Sequence, residues 1–286
     1  MNIITNPKRS VWSSLTERPY VDNKSVKTVV KEVFENVKNY GDKSLIEYTK
    51  KFDNIELTTI EVEAKSITNS EFLIPQKLKD SIDLAFKNIY KFHKSQIQKK
   101  EIVKINEGIS CWQEKRPIER VGFYIPGGTA PLFSTVLMLG IPSLIANCPN
   151  RILCTPPDKN GEIPVEILYV CKICKIKNIF KVGGSQAIAA MTLGTETIPM
   201  VNKIFGPGNQ YVTIAKRYSM NFGVSIDMPA GPSELLVLAD ESANAKFVAS
   251  DLLSQAEHGC DSQVILVSNS KKIINDINNE IDIQKK

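Results

Sequence analysis

The sequence predicts an α/β protein with mainly parallel sheets, and two observations support this. From Val121 onward, short apolar runs alternate with helical stretches, which is the pattern of parallel strands joined by crossover helices. Glycine-rich turns separate the runs from the helices, as expected where a strand passes directly into a helix. The chain has 286 residues, of which 42% are apolar, and this is enough for two sheet regions with hydrophobic cores.

The segment before Val121 is predicted to be mostly helical. Valines at helical spacing indicate a helix over 22–52, which Gly41 interrupts. An apolar stripe indicates a second helix over 75–96, where His93 lies among lysines and is given no role. Residues 102–118 alternate loosely between apolar and polar, so we expect strands there.

The alternation after this segment predicts the remaining elements in order. Strands are expected at Val121–Ile125, Ile152–Cys154, Ile179–Val182, Lys203–Phe205, Leu235–Leu238 and Val264–Val267. Helices are expected at Leu132–Ile145, at Val165–Cys174, from near Ala187, from the GPGN turn to about Arg217, at Ala243–Glu257 and from about Ser270.

The charge balance and the cysteines argue against several classes of protein. The net charge of +5 is spread along the chain, whereas a nucleic-acid-binding protein usually concentrates its basic residues on one face. No stretch reaches the roughly 18 apolar residues of a membrane span. The first residues, MNIITNPKRSVW, lack the apolar core of a secretory leader, so the six cysteines are expected to be reduced. We therefore expect a cytoplasmic protein without nucleic-acid or membrane partners.

Four turns rich in glycine and proline follow predicted strands and are the first candidate ligand site. They are Ile125-Pro-Gly-Gly, Val182-Gly-Gly-Ser-Gln, Phe205-Gly-Pro-Gly-Asn and Pro229-Ala-Gly-Pro-Ser-Glu. Ligands of open α/β sheets bind outside the carboxyl ends of the strands, and glycine lets backbone N–H groups approach a phosphate. Glycine also occurs in purely structural turns, and none of the four is a complete G-x-G-x-x-G. A cofactor crevice and structural turns both remain open.

Gln255 and His258 are the second candidate site. They are three residues apart at a predicted helix end, so they project from one face, and imidazole and amide groups can both bind zinc. Such spacing alone is more typical of a helix surface. Cys171 and Cys174 have C-x-x-C spacing but lie in a helical pattern with no second pair, and we interpret them as buried apolar residues. With two histidines in the chain, no Ser-His-Asp triad can be assembled.

Longer strings, taken together, resemble the histidinol dehydrogenase family. They are VGFYIPGGTAPLFSTVLMLGIP, VGGSQAIAAMTLGTE, KIFGPGNQYVT, SIDMPAGPSELLVLAD and FVASDLLSQAEHGCDSQVIL. The resemblance covers essentially the whole chain and is weaker in the N-terminal helices. It implies two Rossmann-like domains in an aldehyde-dehydrogenase-like architecture, both incomplete. The first would comprise residues 1–123 plus 234–286, and the second, nucleotide-binding-like domain would comprise 124–233.

The resemblance also implies an activity, cofactors and site residues. Members of the family oxidise L-histidinol to L-histidine through histidinal, in two NAD-dependent steps that end histidine biosynthesis, and they work as homodimers with one zinc ion per site. Implied NAD contacts are Tyr124, Gln186 and Asn209. Ser233 resembles a substrate contact. Gln255 and His258 resemble zinc ligands that also contact the substrate.

The resemblance implies that this chain is an N-terminal portion. The family's catalytic Glu-His pair, two further zinc ligands and a late glutamate that binds substrate would all lie beyond Lys286, because Glu257-His258 belongs to the zinc motif. We therefore expect no catalytic residue here and no activity from this chain alone. One alternative is a non-catalytic remnant that keeps only a nucleotide-binding scaffold. Another is a different NAD-dependent, aldehyde-oxidising enzyme, which would need a nucleophilic cysteine in a glycine-rich loop. Cys260 follows His258-Gly, but the family has another residue there, so we interpret this cysteine as incidental.

Overall fold

The chain folds into two compact units of α/β structure. The computed structural model describes residues 2–17, 24–128, 130–229, 234–257 and 262–285. Contacts group residues 24–230 into a larger unit, and 1–23 with 231–286 into a smaller one. The domain boundaries predicted at 123/124 and 233/234 stay predictions. Among the residues described, no helix is both long and apolar enough to cross a membrane.

The helices and strands follow one another in an order close to the predicted one. The helices are α1 (Trp12–Leu15), α2 (Lys24–Asp53), α3 (Ala64–Leu73), α4 (Gln76–Lys94), α5 (Phe133–Ile145), α6 (Val165–Ile173), α7 (Gly184–Leu193), α8 (Gln210–Ser219), α9 (Ala245–Ala256) and α10 (Lys271–Gln284). The strands are β1 (Ile102–Asn106), β2 (Ile109–Trp112), β3 (Arg120–Tyr124), β4 (Asn150–Thr155), β5 (Asn178–Lys181), β6 (Lys203–Phe205), β7 (Ser225–Ile226), β8 (Glu234–Ala239) and β9 (Gln263–Ser268).

A five-stranded parallel sheet forms the centre of the larger unit. Its order is β5-β4-β3-β6-β7, so the chain starts in the middle, builds outward to β5, and then returns to the other side of β3. Beyond β5, the segment around Glu61 pairs antiparallel with Phe180 and covers that edge. Covering an edge strand satisfies its backbone groups and prevents pairing with other chains.

The side chains of this sheet alternate between two buried faces, as the two-residue period of a strand requires. One face contributes Tyr124, Ile152, Cys154, Phe180 and Ile204 to a core shared with α2, α7 and α8. The opposite face contributes Val121, Phe123, Leu153 and Ile179 to a core shared with α5, α6, α3 and α4. Burial on both faces explains why these strands are nearly continuous apolar runs in the sequence.

The N-terminal helices supply part of both helical layers. Helix α2 packs on α7 and α8 through a buried stripe that includes Val30, Val33 and Val37. The backbone of α2 is non-helical at Gly41, and the N–H of Asp42 donates to the Glu196 carboxylate at 2.8 Å. This break therefore ties the N-terminal helix to the loop after α7.

The smaller unit contains a parallel pair of strands, β8 and β9, with α9 and α10 on one face. Its core includes Ala249, Leu252 and Ile277. Leu236 and Leu238 lie on β8 and are exposed. In the larger unit, β1 and β2 form an antiparallel hairpin whose residues are all exposed.

The predicted fold class is confirmed, since parallel sheets carry helices in both units. Each predicted strand corresponds to an observed one, and the predicted helix over 22–52 corresponds to α2 with its break at Gly41. The sequence analysis missed α3, because only two of its ten residues are buried and its apolar periodicity is weak. It also missed β7, which is only two residues long.

Candidate cofactor-binding site

The candidate site lies at the carboxyl edge of the five-stranded sheet. The connection after β3 leads to β4 on one side, whereas the connection after β5 leads back to β6 on the other side. The switch point is therefore between β3 and β6, where open α/β sheets bind ligands. The predicted glycine-rich turns after β3, β5 and β6 all lie at this edge. Of the fourth predicted turn, Pro229–Glu234, residues 230–233 lie outside the described residues.

Tyr124 ends β3 and reaches across to the turn before α7. Its side chain is buried, and its hydroxyl accepts a hydrogen bond from the Gly184 N–H at 3.0 Å. Burial raises the pKa of Tyr124 to about 12; the Gly184 bond opposes this shift, and the nearby Asp53 carboxylate adds to it. The phenol therefore stays protonated and keeps its own hydrogen at neutral pH.

Gln186 lies in the first turn of α7, close to the same glycine. Its side chain is 1% exposed, and its Oε1 is buried without a hydrogen-bond partner. A Cβ placed on Gly184 would come within 2.6 Å of that oxygen, so the amide lies directly beside this glycine. The structure thus brings Tyr124 and Gln186 together at Gly184. A buried polar atom without a partner costs about 1–3 kcal/mol unless a water or a ligand completes it.

Asn209 has a structural role at the start of α8. Its Oδ1 accepts hydrogen bonds from the N–H groups of Tyr211 and Val212, at 3.0 and 3.1 Å, so it is the N-cap of the helix. The side chain is exposed, and its amide nitrogen is not used in this cap. The cap uses only the oxygen of the side chain, so the NH₂ group of Asn209 is available to a ligand at this edge.

The turn between β6 and α8 is held by two charged residues that the sequence analysis missed. Lys216 is buried in α8, donates to the Gly206 carbonyl at 2.6 Å, and forms an ion pair with Asp227. Asp227 in turn accepts a hydrogen bond from the Gly206 N–H at 2.8 Å. The sequence did contain one indication of this pair: Lys216 follows Ala215 on the apolar face of a predicted helix. Because a lysine is almost never buried without a partner, its position predicts a partner for it.

The predicted zinc and substrate residues are only partly described. Ser233 and His258 lie outside the described residues. Gln255 is half-buried in the last turn of α9, and its Nε2 donates to the Ser262 hydroxyl at 3.5 Å. Within the described ranges, no three His, Cys, Asp or Glu side chains cluster as a metal site. Because a structural or catalytic zinc site needs three or four protein ligands, the described residues do not make one on their own.

Three buried thiols among the described residues are poorly suited to act as nucleophiles. Cys154, Cys171 and Cys174 are buried, and burial raises the pKa of each thiol, that of Cys174 to about 12. A thiol of raised pKa carries little of the reactive thiolate at neutral pH. The interpretation of Cys171 and Cys174 as buried apolar residues is therefore confirmed. Cys260 lies outside the described residues.

Comparisons with known proteins agree on one family. A sequence model of the family described as histidinol dehydrogenase matches residues 16–286. The histidinol dehydrogenase of Bacteroides fragilis is 51% identical over 284 residues, covering 99% of this chain and 66% of its own length. That of Buchnera aphidicola subsp. Baizongia pistaciae is 52% identical, covering 96% of this chain and 65% of its own length.

A solved structure gives the same result for the fold. The crystal structure of histidinol dehydrogenase from Elizabethkingia anophelis superposes with a TM-score of 0.89 at 55% identity, covering 98% of this chain and 64% of that chain. The chain spans about two-thirds of the length of the curated relatives, 66% in the case of the Bacteroides fragilis protein. A family match over nearly the whole chain, together with this superposition, shows that the chain belongs to the histidinol dehydrogenase family.

Proposed function

We propose that the protein represented by this chain oxidises L-histidinol to L-histidine with NAD, through histidinal, and that residues 24–230 hold the NAD. The chain spans 66% of the length of its Bacteroides fragilis relative, so the proposal concerns an activity to which these residues contribute. A homodimer and a cytoplasmic location, both expected from the sequence, stay predictions.

The observation that carries the NAD assignment is the unpartnered oxygen of Gln186 beside Tyr124. The amide oxygen offers an acceptor and the protonated phenol offers a donor, and both lie at Gly184, on the carboxyl edge of the sheet. Ribose hydroxyl and carboxamide groups of a dinucleotide can satisfy such a pair, because each both donates and accepts.

The start of α8 supports the same assignment. The helix begins directly after Asn209, next to the switch point, and the positive end of its dipole favours an anion such as a pyrophosphate. Because the Asn209 side chain already accepts the N–H groups of Tyr211 and Val212, the dipole rather than these donors supplies the attraction. Gly128, after β3, has open space around it, with no atom within 4 Å of where a Cβ would be. A backbone without a side chain permits close approach of a phosphate.

The chemistry divides between the cofactor and the chain. NAD, when bound, accepts the hydride that an alcohol or a hydrated aldehyde loses on oxidation. In this proposal Tyr124, Gln186 and Asn209 bind and orient the cofactor. We propose that the base, and the ligands that complete a zinc site with Gln255 and His258, come from residues outside these 286.

Binding and turnover can be tested separately. Titration calorimetry of the 286-residue chain with NAD should give a saturable isotherm. Incubation with histidinol, NAD and Zn²⁺ should give no NADH above a no-protein blank. Absence of saturable NAD binding would contradict the cofactor assignment. Turnover above the blank would contradict the view that residues outside these 286 are required.

Zinc retention provides an independent test. With two ligands, Gln255 and His258, the affinity should be weak, because zinc sites normally have three or four ligands. Equilibrium dialysis of the chain and of a His258→Ala variant measures this directly. One tightly held zinc that is lost in the variant would mean that another copy or another segment completes the site.

A further inference from the structure

A buried ion pair beneath the candidate site has no role in the function described so far. Lys216 is 5% exposed, although it carries an ammonium group on a flexible side chain. Removing a charge from water costs several kcal/mol unless the group is paired and hydrogen-bonded. The groups that contact Lys216 should therefore show which part of the structure the buried charge stabilises.

Both the Lys216 ammonium group and its partner carboxylate contact Gly206, in the turn after β6. The Lys216 ammonium group donates to the Gly206 carbonyl at 2.6 Å and pairs with the Asp227 carboxylate. The second oxygen of that carboxylate accepts the Gly206 N–H at 2.8 Å. One ion pair thus binds both polar backbone groups of a single glycine, and hydrogen bonds to charged groups are about twice as strong as neutral ones.

This glycine is pressed against the end of β3. Its φ is +131°, and a Cβ there would lie 2.0 Å from the Tyr124 carbonyl oxygen. The backbone of the turn therefore packs so closely against β3 that no side chain fits at position 206. The same turn continues through Gly208 to Asn209 and the start of α8.

We propose that Lys216 and Asp227 are positioning residues for the cofactor: they hold the turn from Gly206 to Asn209 against β3, so that the start of α8 faces the switch point. This rests on the proposed NAD site. A role in stability alone would not require charge, because a well-packed apolar pair is often at least as stable as a buried ion pair. The pair instead fixes the glycine from which the turn leads into the start of α8.

The test uses Lys216→Met, which keeps the length of the side chain and removes its charge. Hydrogen exchange of peptides covering 206–212 should become at least about tenfold faster, and the NAD dissociation constant should rise by about tenfold, since a tenfold change corresponds to losing about 1.4 kcal/mol. Lys216→Arg keeps the positive charge, so its hydrogen exchange and its NAD dissociation constant should both lie closer to the wild-type values than those of Lys216→Met. Asp227→Asn, at a half-buried side chain, provides a second variant with the same expected results if Lys216→Met fails to fold.

Ile82→Ala provides a control of comparable destabilisation. Ile82 is fully buried in the core on the opposite face of the sheet, and its truncation costs about as much as breaking a buried pair. If exchange and NAD affinity change equally in Lys216→Met and Ile82→Ala, the pair only stabilises the fold and the inference is overturned. If the wild-type chain binds no NAD but exchange rises in Lys216→Met alone, positioning of the turn stands and the NAD assignment fails.

Discussion

The amide oxygen of Gln186 gives a prediction in which stability and cofactor affinity change in opposite directions. In Gln186→Met the side chain keeps nearly the same length and volume, and the two residues have similar helix propensities in the first turn of α7. The variant removes a buried acceptor without a partner, an arrangement that costs about 1–3 kcal/mol. Some of this gain is lost in repacking, so we expect the lower end, a stabilisation of about 1 kcal/mol.

Thermal denaturation followed by circular dichroism can measure this change. For a unit of this size, about 1 kcal/mol corresponds to a rise in Tm of about 2–4 °C. NAD affinity should fall by about tenfold, because the ligand loses the acceptor that it is proposed to fill. Gln113→Met makes the same chemical change at an exposed position and should alter neither quantity by much.

A lower Tm in Gln186→Met would refute the reasoning, because it would mean that the amide oxygen already has a partner within the folded chain. A higher Tm with unchanged NAD affinity would instead separate the two conclusions. That result would mean that the Gln186 oxygen is unpaired, as in the structure, and that NAD binds away from Gln186.

Three further variants test other parts of the site. The wild type should lose stability between pH 10, where an unfolded tyrosine ionises, and about 12, where the buried Tyr124 phenol does, and in Tyr124→Phe this loss should be smaller; urea denaturation at pH 8 and pH 11 measures it. Asn209→Ala should cost about 1 kcal/mol in urea denaturation and weaken NAD binding, whereas Asn244→Ala, which removes the N-cap of α9, should cost stability alone. Gly128→Ala should leave stability within about 0.5 kcal/mol and weaken NAD binding in calorimetry, because its Cβ meets no protein atom.

Hydrophobic periodicity predicted most of the fold, because burial on both faces of the sheet produced clear apolar runs. Periodicity failed where an element buries little. Helix α3 presents only Ile67 and Ser70 to the core, and β7 consists of Ser225 and Ile226. Such elements exist because the surrounding structure supports them, and this support is not visible in local sequence.

The candidate site was predicted from the sequence in two ways. The glycine-rich turns alone indicated the edge of a sheet, but assignment of Tyr124 and Gln186 to NAD depended on resemblance to a family. Lys216 and Asp227 were missed because their roles depend on contacts with Gly206, ten and 21 residues away in sequence. A charged residue on an apolar helix face signals that a partner exists, but not which partner.

The glycines at the carboxyl edge can be separated by what the fold itself requires of them. A Cβ on Gly127 or Gly183 would lie 2.6 or 2.7 Å from the Pro156 ring, so both are explained by packing against this proline. Gly206 is explained by its positive φ and its contact with the end of β3. Gly128 is exposed and meets nothing within 4 Å, so nothing in the described fold requires glycine there. Structural turns therefore account for most of the glycine pattern, and Gly128 is the position where the proposed NAD site, rather than packing within the protein, would explain a glycine.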